Sequence, residues 1–225
     1  MQISKSDFHQ YLSEYTEDEI FYRNIYLQKK EHPETFQEYL HSLDPDYIRD
    51  RRLYVPELRQ EPWFPYLGEN DMFANIPENI IISKHYRYTP EFTHKHDFFE
   101  ILCVYDGTVN NQIQGIHHTL HTGDICIIPP NTRHSLGVFD DSLAFNIIVR
   151  VSTFQSTFFQ SLAADSALAK FFSHVLYQKT EGNFLIFHAG EDAQIRSTLE
   201  DLYIEYMLHA RYRSAFLNAQ LMMLW

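Results

Sequence analysis

The sequence predicts a mainly β domain with helices at both ends. Between residues 79 and 150, short apolar runs alternate with turn signals, and four of the seven glycines of the chain lie there, at positions 107, 115, 123 and 137. The stretches before and after it instead show the spacing of amphipathic helices. Short strands separated by close turns are typical of a β-sandwich or barrel and do not fit alternating βαβ units.

The composition narrows the class of protein. The 225 residues are 44% hydrophobic and 16% aromatic, which is enough to bury a core. A formal net charge of −12 opposes phosphate, so we expect that this chain alone does not bind nucleic acid. Two cysteines exclude a disulfide scaffold and fit a reducing compartment. Because the sequence lacks an apolar run of about 18 residues and a secretory signal pattern, we expect a cytoplasmic protein without a membrane partner.

Residues 1–78 predict a helical N-terminal extension. Thr16 and Glu19 have the spacing of a capping box, which marks the start of a helix. A later helix has one apolar face, formed by Phe36, Tyr39, Leu40 and Leu43.

Residues 151–225 return to helical patterns after the β region of residues 79–150. Asn183 to Phe187 fit one additional strand. The chain ends in an apolar helix at Trp225, and we expect more protein beyond that point. The last two predicted helices carry apolar stripes formed by Ile195, Leu199, Leu202 and Tyr206, and by Phe216, Leu217, Leu221 and Leu224.

A histidine-rich segment is the candidate functional site. His94, His96 and Glu100 share parity, so a strand would point all three side chains to one face. His134 follows a second apolar run and the turn after it. Three imidazoles and a carboxylate suit Zn, Ni, Mn or Fe. A polar pocket without a metal is the alternative that the residues leave open.

Other reactive side chains in this region have simpler interpretations. We expect His117, His118 and His121 to be edge or surface residues, although one of them could line the pocket. Cys103 has the opposite parity to Glu100 and should face away from the site. Both Cys103 and Cys126 are expected to be small core residues.

The spacing of the site residues resembles that of the cupin family. An HxHxxxE pattern from His94 to Glu100, followed by six residues and then Gly107, is similar to the first cupin motif. Gly123, Pro129 and His134 resemble the second. The resemblance implies a double-stranded β-helix, or jelly roll, with His94, His96, Glu100 and His134 as the metal-ligand positions. The chain departs from the motifs where Tyr88 and Asn131 stand in place of glycine and Val138 in place of asparagine.

The two motifs followed by a helical tail resemble the N-terminal domain of AraC-family transcription regulators. That resemblance implies a cupin that binds a small-molecule effector, which could be a sugar, and that dimerises through the helices after the barrel. It also implies DNA binding by two helix-turn-helix units that would follow Trp225. The predicted homodimer interface comprises Leu199, Leu202, Tyr206, Phe216, Leu217, Leu221 and Leu224.

A stand-alone cupin metalloenzyme, such as a dioxygenase or isomerase, is the alternative function. The long helical tail favours the regulator, because an isolated enzyme barrel does not require one. The sequence also shows no separate nucleophile or general-base constellation. We therefore predict a protein that is not an enzyme.

Overall fold

The part of the chain before the central sheets contains five α-helices among the described residues. The computed structural model describes residues 5–59, 65–178, 184–208 and 213–224. The capping box is present, since the Glu19 N–H donates to Thr16 Oγ1 at 3.2 Å and the Thr16 N–H donates to the Glu19 carboxylate at 2.8 Å. The helices of this part are α1 Lys5–Ser13, α2 Glu17–Glu31, α3 Phe36–Ser42, α4 Pro45–Asp50 and α5 Glu69–Met72.

The central region forms two antiparallel sheets. Within the described residues, one sheet has five strands in the order β10-β7-β4-β9-β2, and the other has three in the order β6-β5-β8. A short parallel pair, β1 with β3, lies beside them. The strands are β1 Tyr66–Leu67, β2 Ile80–Lys84, β3 Lys95–His96, β4 Phe99–Asp106, β5 Thr108–Ile113, β6 Ile116–His121, β7 Asp124–Ile128, β8 His134–Gly137, β9 Leu143–Val149 and β10 Leu185–His188.

This arrangement is the predicted jelly roll flanked by helices. β10 confirms the additional strand predicted near residues 183–187, although Asn183 itself lies outside the described residues. The C-terminal part contains α6 Val151–Thr153, a π-helical turn Phe154–Phe158, α7 Ala167–Gln178, α8 Ala193–Leu208 and α9 Arg213–Met222.

The five-stranded sheet is buried on both faces, which explains its almost continuous apolar runs. On β4, Leu102 and Val104 point into the barrel, where they pack with side chains of the three-stranded sheet. Phe99, Ile101 and Cys103 point outward beneath the helices. Because side chains alternate along a strand, successive residues of β4 pack in two different apolar layers, one inside the barrel and one beneath the helices.

Helices from both ends of the chain cover the outer face of the five-stranded sheet. Phe8 and Leu12 of α1 belong to the same core cluster as Phe145 of β9 and Leu202 of α8. The three zones of the sequence therefore share one apolar core. No helix in the described ranges has the length and apolar content needed to cross a lipid bilayer.

Most of the predicted dimer stripe packs against the chain's own sheet. Leu199, Leu202, Leu217 and Leu221 are at most 3% exposed and lie in the outer core layer. Of the seven predicted interface residues, Tyr206, Phe216 and Leu224 keep solvent-accessible surface. The homodimer stays a prediction, and these three residues are the part of the stripe that a second copy could reach.

A buried ion pair fastens the N-terminal helices to the barrel. Glu19 on α2 is fully buried, and its carboxylate accepts from Arg87 Nε at 2.8 Å and from Lys84 Nζ at 2.7 Å. Arg87 also donates to the carbonyl oxygens of Ser13 and Glu14, at 3.2 and 3.0 Å. We call Glu19, Lys84 and Arg87 the anchor.

Candidate metal and effector site

The four predicted site residues converge at the start of β4 and β8. His94 and His134 face each other across an antiparallel bridge, with the His94 N–H donating to the His134 carbonyl at 2.9 Å and the reverse bond at 3.1 Å. His96 ends β3, and Glu100 is the second residue of β4. Backbone pairing therefore brings together residues that are up to 40 positions apart.

The Glu100 carboxylate is the centre of this group. Its Oε2 lies 3.2 Å from Nε2 of His96 and 3.2 Å from Nε2 of His134. Ligand atoms of His94, Glu100 and His134 all lie within 4.8 Å of one another. His96 approaches Glu100 but does not belong to that triad. We call His94, His96, Glu100 and His134 the His/Glu cluster.

The backbone fixes the orientation of all three imidazoles. Nδ1 lies at hydrogen-bond distance from a carbonyl oxygen in each case, at 3.2 Å for His94, 2.8 Å for His96 and 3.1 Å for His134. Since a carbonyl oxygen only accepts a hydrogen bond, Nδ1 carries the proton. Nε2 is then the nitrogen that remains to bind a metal ion or a second proton. Second-shell bonds of this kind are typical of metal-binding histidines. The Nε2 atom of His96 has no aligned hydrogen-bond partner among the described residues.

Burial and close pairing shift the pKa values of the cluster in opposite directions. Burial, together with the neighbouring His134, lowers the pKa of His94 to about 4. Burial also lowers the pKa of His96. For His134, burial alone would lower the pKa, but the hydrogen bond to Glu100 and the charge of that carboxylate together raise it. Burial alone would raise the pKa of Glu100, but the hydrogen bond with His134 and the close contact with His96 hold it well below its usual value.

The donor set fits a divalent cation. With Nδ1 protonated, two Nε2 lone pairs would face one carboxylate oxygen, and this contact is favourable only with a proton or a cation between them. Separations of 3.2 Å are those of neighbouring ligand atoms around an ion with bonds of about 2.0–2.2 Å.

Tyr88 and Asn131, which stand where the cupin motifs have glycine, both have a backbone conformation that is typical of glycine. Tyr88 and Asn131 both adopt positive φ, 62° and 64°, which is the left-handed region that glycine enters most easily. The Asn131 N–H donates to the His96 carbonyl at 2.7 Å, so this turn holds β3 in place. Both positions therefore adopt the backbone conformation that glycine would favour, although neither is glycine.

The remaining candidates lie largely where the sequence predicted. His117 and His121 are exposed on β6, whereas His118 is half-buried and its ring packs against Phe184 inside the barrel. Cys103 and Cys126 are buried core residues, and Cys103 faces away from Glu100.

Sequence reasoning missed the polar side chains His85 and Asn146. Both are partly buried, on or beside adjacent strands, and each has one polar atom without a hydrogen-bond partner among the described residues. The available signal was the parity of Ile81, Ser83 and His85, which places two polar residues on the inner face of a strand.

Comparisons with known proteins agree with the predicted resemblance. A sequence model of a family described as "AraC-like ligand binding domain" matches residues 80–225. Among curated proteins there is no significant match.

Solved structures with similar regions include apo ToxT from Vibrio cholerae, at 12% identity and a TM-score of 0.46, covering 64% of this chain and 53% of ToxT. The chain thus spans about half the length of ToxT. A cupin from Bacteroides fragilis is 20% identical, with a TM-score of 0.29, over 44% of this chain and 80% of that protein. An RmlC-like cupin from Shewanella frigidimarina is 16% identical, with a TM-score of 0.30, over 33% and 68%.

Proposed function

Since the chain belongs to the family of AraC-like ligand-binding domains, we propose that it is the effector-sensing domain of a bacterial transcription regulator and not an enzyme. The single observation that carries this proposal is the family match over residues 80–225. In such a protein the domain binds a small molecule and biases the arrangement of a DNA-binding module.

We further propose that the His/Glu cluster holds a divalent cation. Glu100 supplies the negative charge, and His94, His96 and His134 present Nε2 atoms whose Nδ1 protons are tied to backbone carbonyls. The cation, which would be Zn, Ni, Mn or Fe, would supply a fixed positive charge beside a buried carboxylate. The side chains around it orient the strand ends and close this part of the barrel to water.

The domain pairs with a second copy and is cytoplasmic in this proposal. Phe216 on α9 is 40% exposed, and the nearby Met222 and Met223 are 40% and 59% exposed. A two-fold interface there would place two downstream DNA-binding modules on neighbouring half-sites. The net charge of −12 supports DNA contact through those modules and not through this domain.

The reading frame after Trp225 tests the regulator function most directly. We expect it to continue into two helix-turn-helix segments with a basic surface. The protein with this continuation should shift a promoter fragment in a gel, whereas residues 1–225 alone should not. A stop codon directly after Trp225, or specific DNA retardation by residues 1–225, would contradict the proposal.

Sedimentation of Phe216→Glu tests the dimer. Phe216 is exposed whereas Leu217 is fully buried, so a charge at position 216 should separate two copies without unfolding the domain. Tyr177→Glu, at an aromatic residue of α7 that is 60% exposed against 40% for Phe216, is the control. A wild-type chain that is monomeric at high micromolar concentration would contradict the proposed dimer.

A further inference from the structure

The β5–β6 hairpin is exposed but carries no charged side chain. Residues 107–123 contain no Asp, Glu, Lys or Arg, and this is the longest such stretch in a chain that is 21% charged. Eight of these 17 residues are exposed, so burial does not explain the lack of charge. We call residues 107–123 the neutral hairpin. On an acidic protein, such a surface is where a second macromolecule can approach without charge repulsion.

Strand β6 is an edge strand of the three-stranded sheet. Among the described residues it pairs with β5 on one side and with no strand on the other. The opposite edge, β8, is bridged by His94, and the edge strand β2 of the larger sheet packs against α8 and α9. Soluble proteins usually protect an edge strand with charged residues, proline or a bulge. The sequence IHHTLH of β6 and its continuous register with β5 provide none of these.

Hydrogen-bond alternation identifies the backbone groups at this free edge. At the base of the hairpin, the Thr122 N–H donates to the Gly107 carbonyl at 3.0 Å. Because bonded and non-bonded pairs alternate along an antiparallel ladder, residues 116, 118 and 120 also bond to β5. The N–H and C=O groups of His117 and Thr119 therefore point away from the sheet, where another strand can reach them.

The free edge is complementary to itself. If two copies place their β6 strands antiparallel about a two-fold axis at His118, His117 of each copy lies opposite Thr119 of the other. Each of these opposed pairs can exchange two N–H···O=C bonds. Ile116, which is 60% exposed at the hairpin tip, then lies opposite Leu120 of the second copy. The three-stranded sheets of the two copies become one continuous sheet.

Charge favours a second copy as the occupant of this edge. Each copy has a net charge of −12, so surfaces rich in carboxylates repel one another when two copies meet. The neutral hairpin adds nothing to this repulsion. A basic protein would instead be attracted to the acidic surfaces, which lie elsewhere on the molecule.

We propose that the neutral hairpin is an interface between two copies of the chain, formed by antiparallel pairing of β6 with itself. It is separate from the α9 surface, because α9 packs on the other sheet. A chain with two different two-fold contacts forms tetramers or longer assemblies. Such an assembly could hold DNA-binding modules at more than two half-sites. That consequence rests on the proposed function, whereas the pairing does not.

Mixed cross-linking tests the pairing and its register. His117→Cys and Thr119→Cys are made in separate chains, in which the two native cysteines are buried. After mixing at high micromolar concentration and mild oxidation, we expect a disulfide-linked dimer, because directly opposed Cα atoms lie about 5.5 Å apart. Each variant alone should cross-link at least tenfold less, since identical positions are offset by two residues and exceed the reach of about 7 Å.

Sedimentation of edge variants measures the strength of the contact. All chains carry Phe216→Glu, so that association through α9 does not contribute. Thr119→Pro removes a donor at an edge position, where proline is tolerated, and should weaken association at least tenfold. His117→Lys with Thr119→Lys places like charges opposite each other and should act in the same direction. Thr108→Lys with Asn110→Lys adds the same charge at exposed positions one strand away, on β5, and is the matched control.

The outcomes separate this interface from the α9 dimer. Association that both edge changes weaken and the control keeps supports the pairing, and the lysine pair decides if circular dichroism shows that the proline variant is unfolded. Equal association of all these chains, no association of the Phe216→Glu chain, or a cysteine mixture that cross-links no better than its components would overturn it. If only the α9 dimer is wrong, Phe216→Glu sediments as the wild type does and the edge variants still dissociate.

Discussion

The anchor and the His/Glu cluster each bury one carboxylate, but they compensate it differently. Glu19 is neutralised by Arg87 and Lys84, which carry permanent charges at neutral pH. Glu100 is surrounded by imidazoles, whose charge depends on a proton or an ion. The comparison indicates that a buried acid with fixed cations holds the fold together, whereas one among histidines responds to its surroundings.

Breaking the anchor should give the largest effect on stability. Arg87→Met removes one of the two cations that neutralise the buried Glu19 carboxylate, together with the side-chain hydrogen bonds to the Ser13 and Glu14 carbonyls, so we expect a loss of about 3–5 kcal/mol in the free energy of unfolding. Urea denaturation measures it. Arg49→Met, at an exposed ion pair, should cost less than about 1 kcal/mol. A similar, small loss in both variants would contradict a structural role for the anchor.

A divalent ion should stabilise the chain only through the His/Glu cluster. At an ion concentration 100 times the dissociation constant, we expect a gain of about 2.7 kcal/mol. Glu100→Gln should remove this gain, because the carboxylate is shared by both Nε2 contacts. Thermal unfolding measures this gain. The protein is first freed of metal with a chelator, and zinc, manganese or nickel is then added. Asp124→Asn, another buried carboxylate that bonds a histidine, is the control and should keep the gain.

The two carboxylates should also respond to pH in different windows. The folded pKa of Glu19 is lowered from 4.5 to about 2, because hydrogen bonds from Arg87 and Lys84 outweigh burial. Its contribution is therefore present above pH 4.5 and lost as the pH falls toward 2. His134 has a raised pKa, so its contribution is present below 6.5 and lost as the pH rises through its folded value.

To test these pH ranges, the free energy of unfolding is measured against pH for the wild type and for each variant. Metal ions are first removed from the protein with a chelator. The stability difference between wild type and His134→Gln should shrink as the pH rises above 6.5 and through the folded pKa of His134. The difference between wild type and Glu19→Gln should shrink only in acid. If both differences shrink in the same window, the distinction between the two sites is lost.

The smallest expected effect concerns the turn that supports the cluster. Asn131→Ala should cost about 1 kcal/mol, because alanine tolerates the left-handed backbone less well than asparagine does. Asn131→Gly should cost nothing or stabilise slightly. Urea denaturation checks the order of the three chains, and an alanine variant as stable as the glycine variant would contradict the explanation.

Local patterns explain which features could be predicted from sequence. The parity of His94, His96 and Glu100 and the spacing to His134 predicted a group that the barrel brings together. The anchor joins residues 68 positions apart, and nothing in the periodicity of either segment pairs them. The stripe at Leu202 and Leu221 was correctly identified as apolar, but periodicity does not say whether such a face covers its own sheet or a second chain.

The tied Nδ1 protons also determine how much charge an entering ion brings. Only Nε2 can exchange a proton, and His134 is the imidazole whose pKa is raised. Where His134 is protonated, Glu100 and His134 together are neutral. A divalent ion that displaces that proton then leaves the cluster with a charge of about +1, not +2. The released proton passes to the buffer, so the heat of ion binding should vary with the ionisation enthalpy of the buffer.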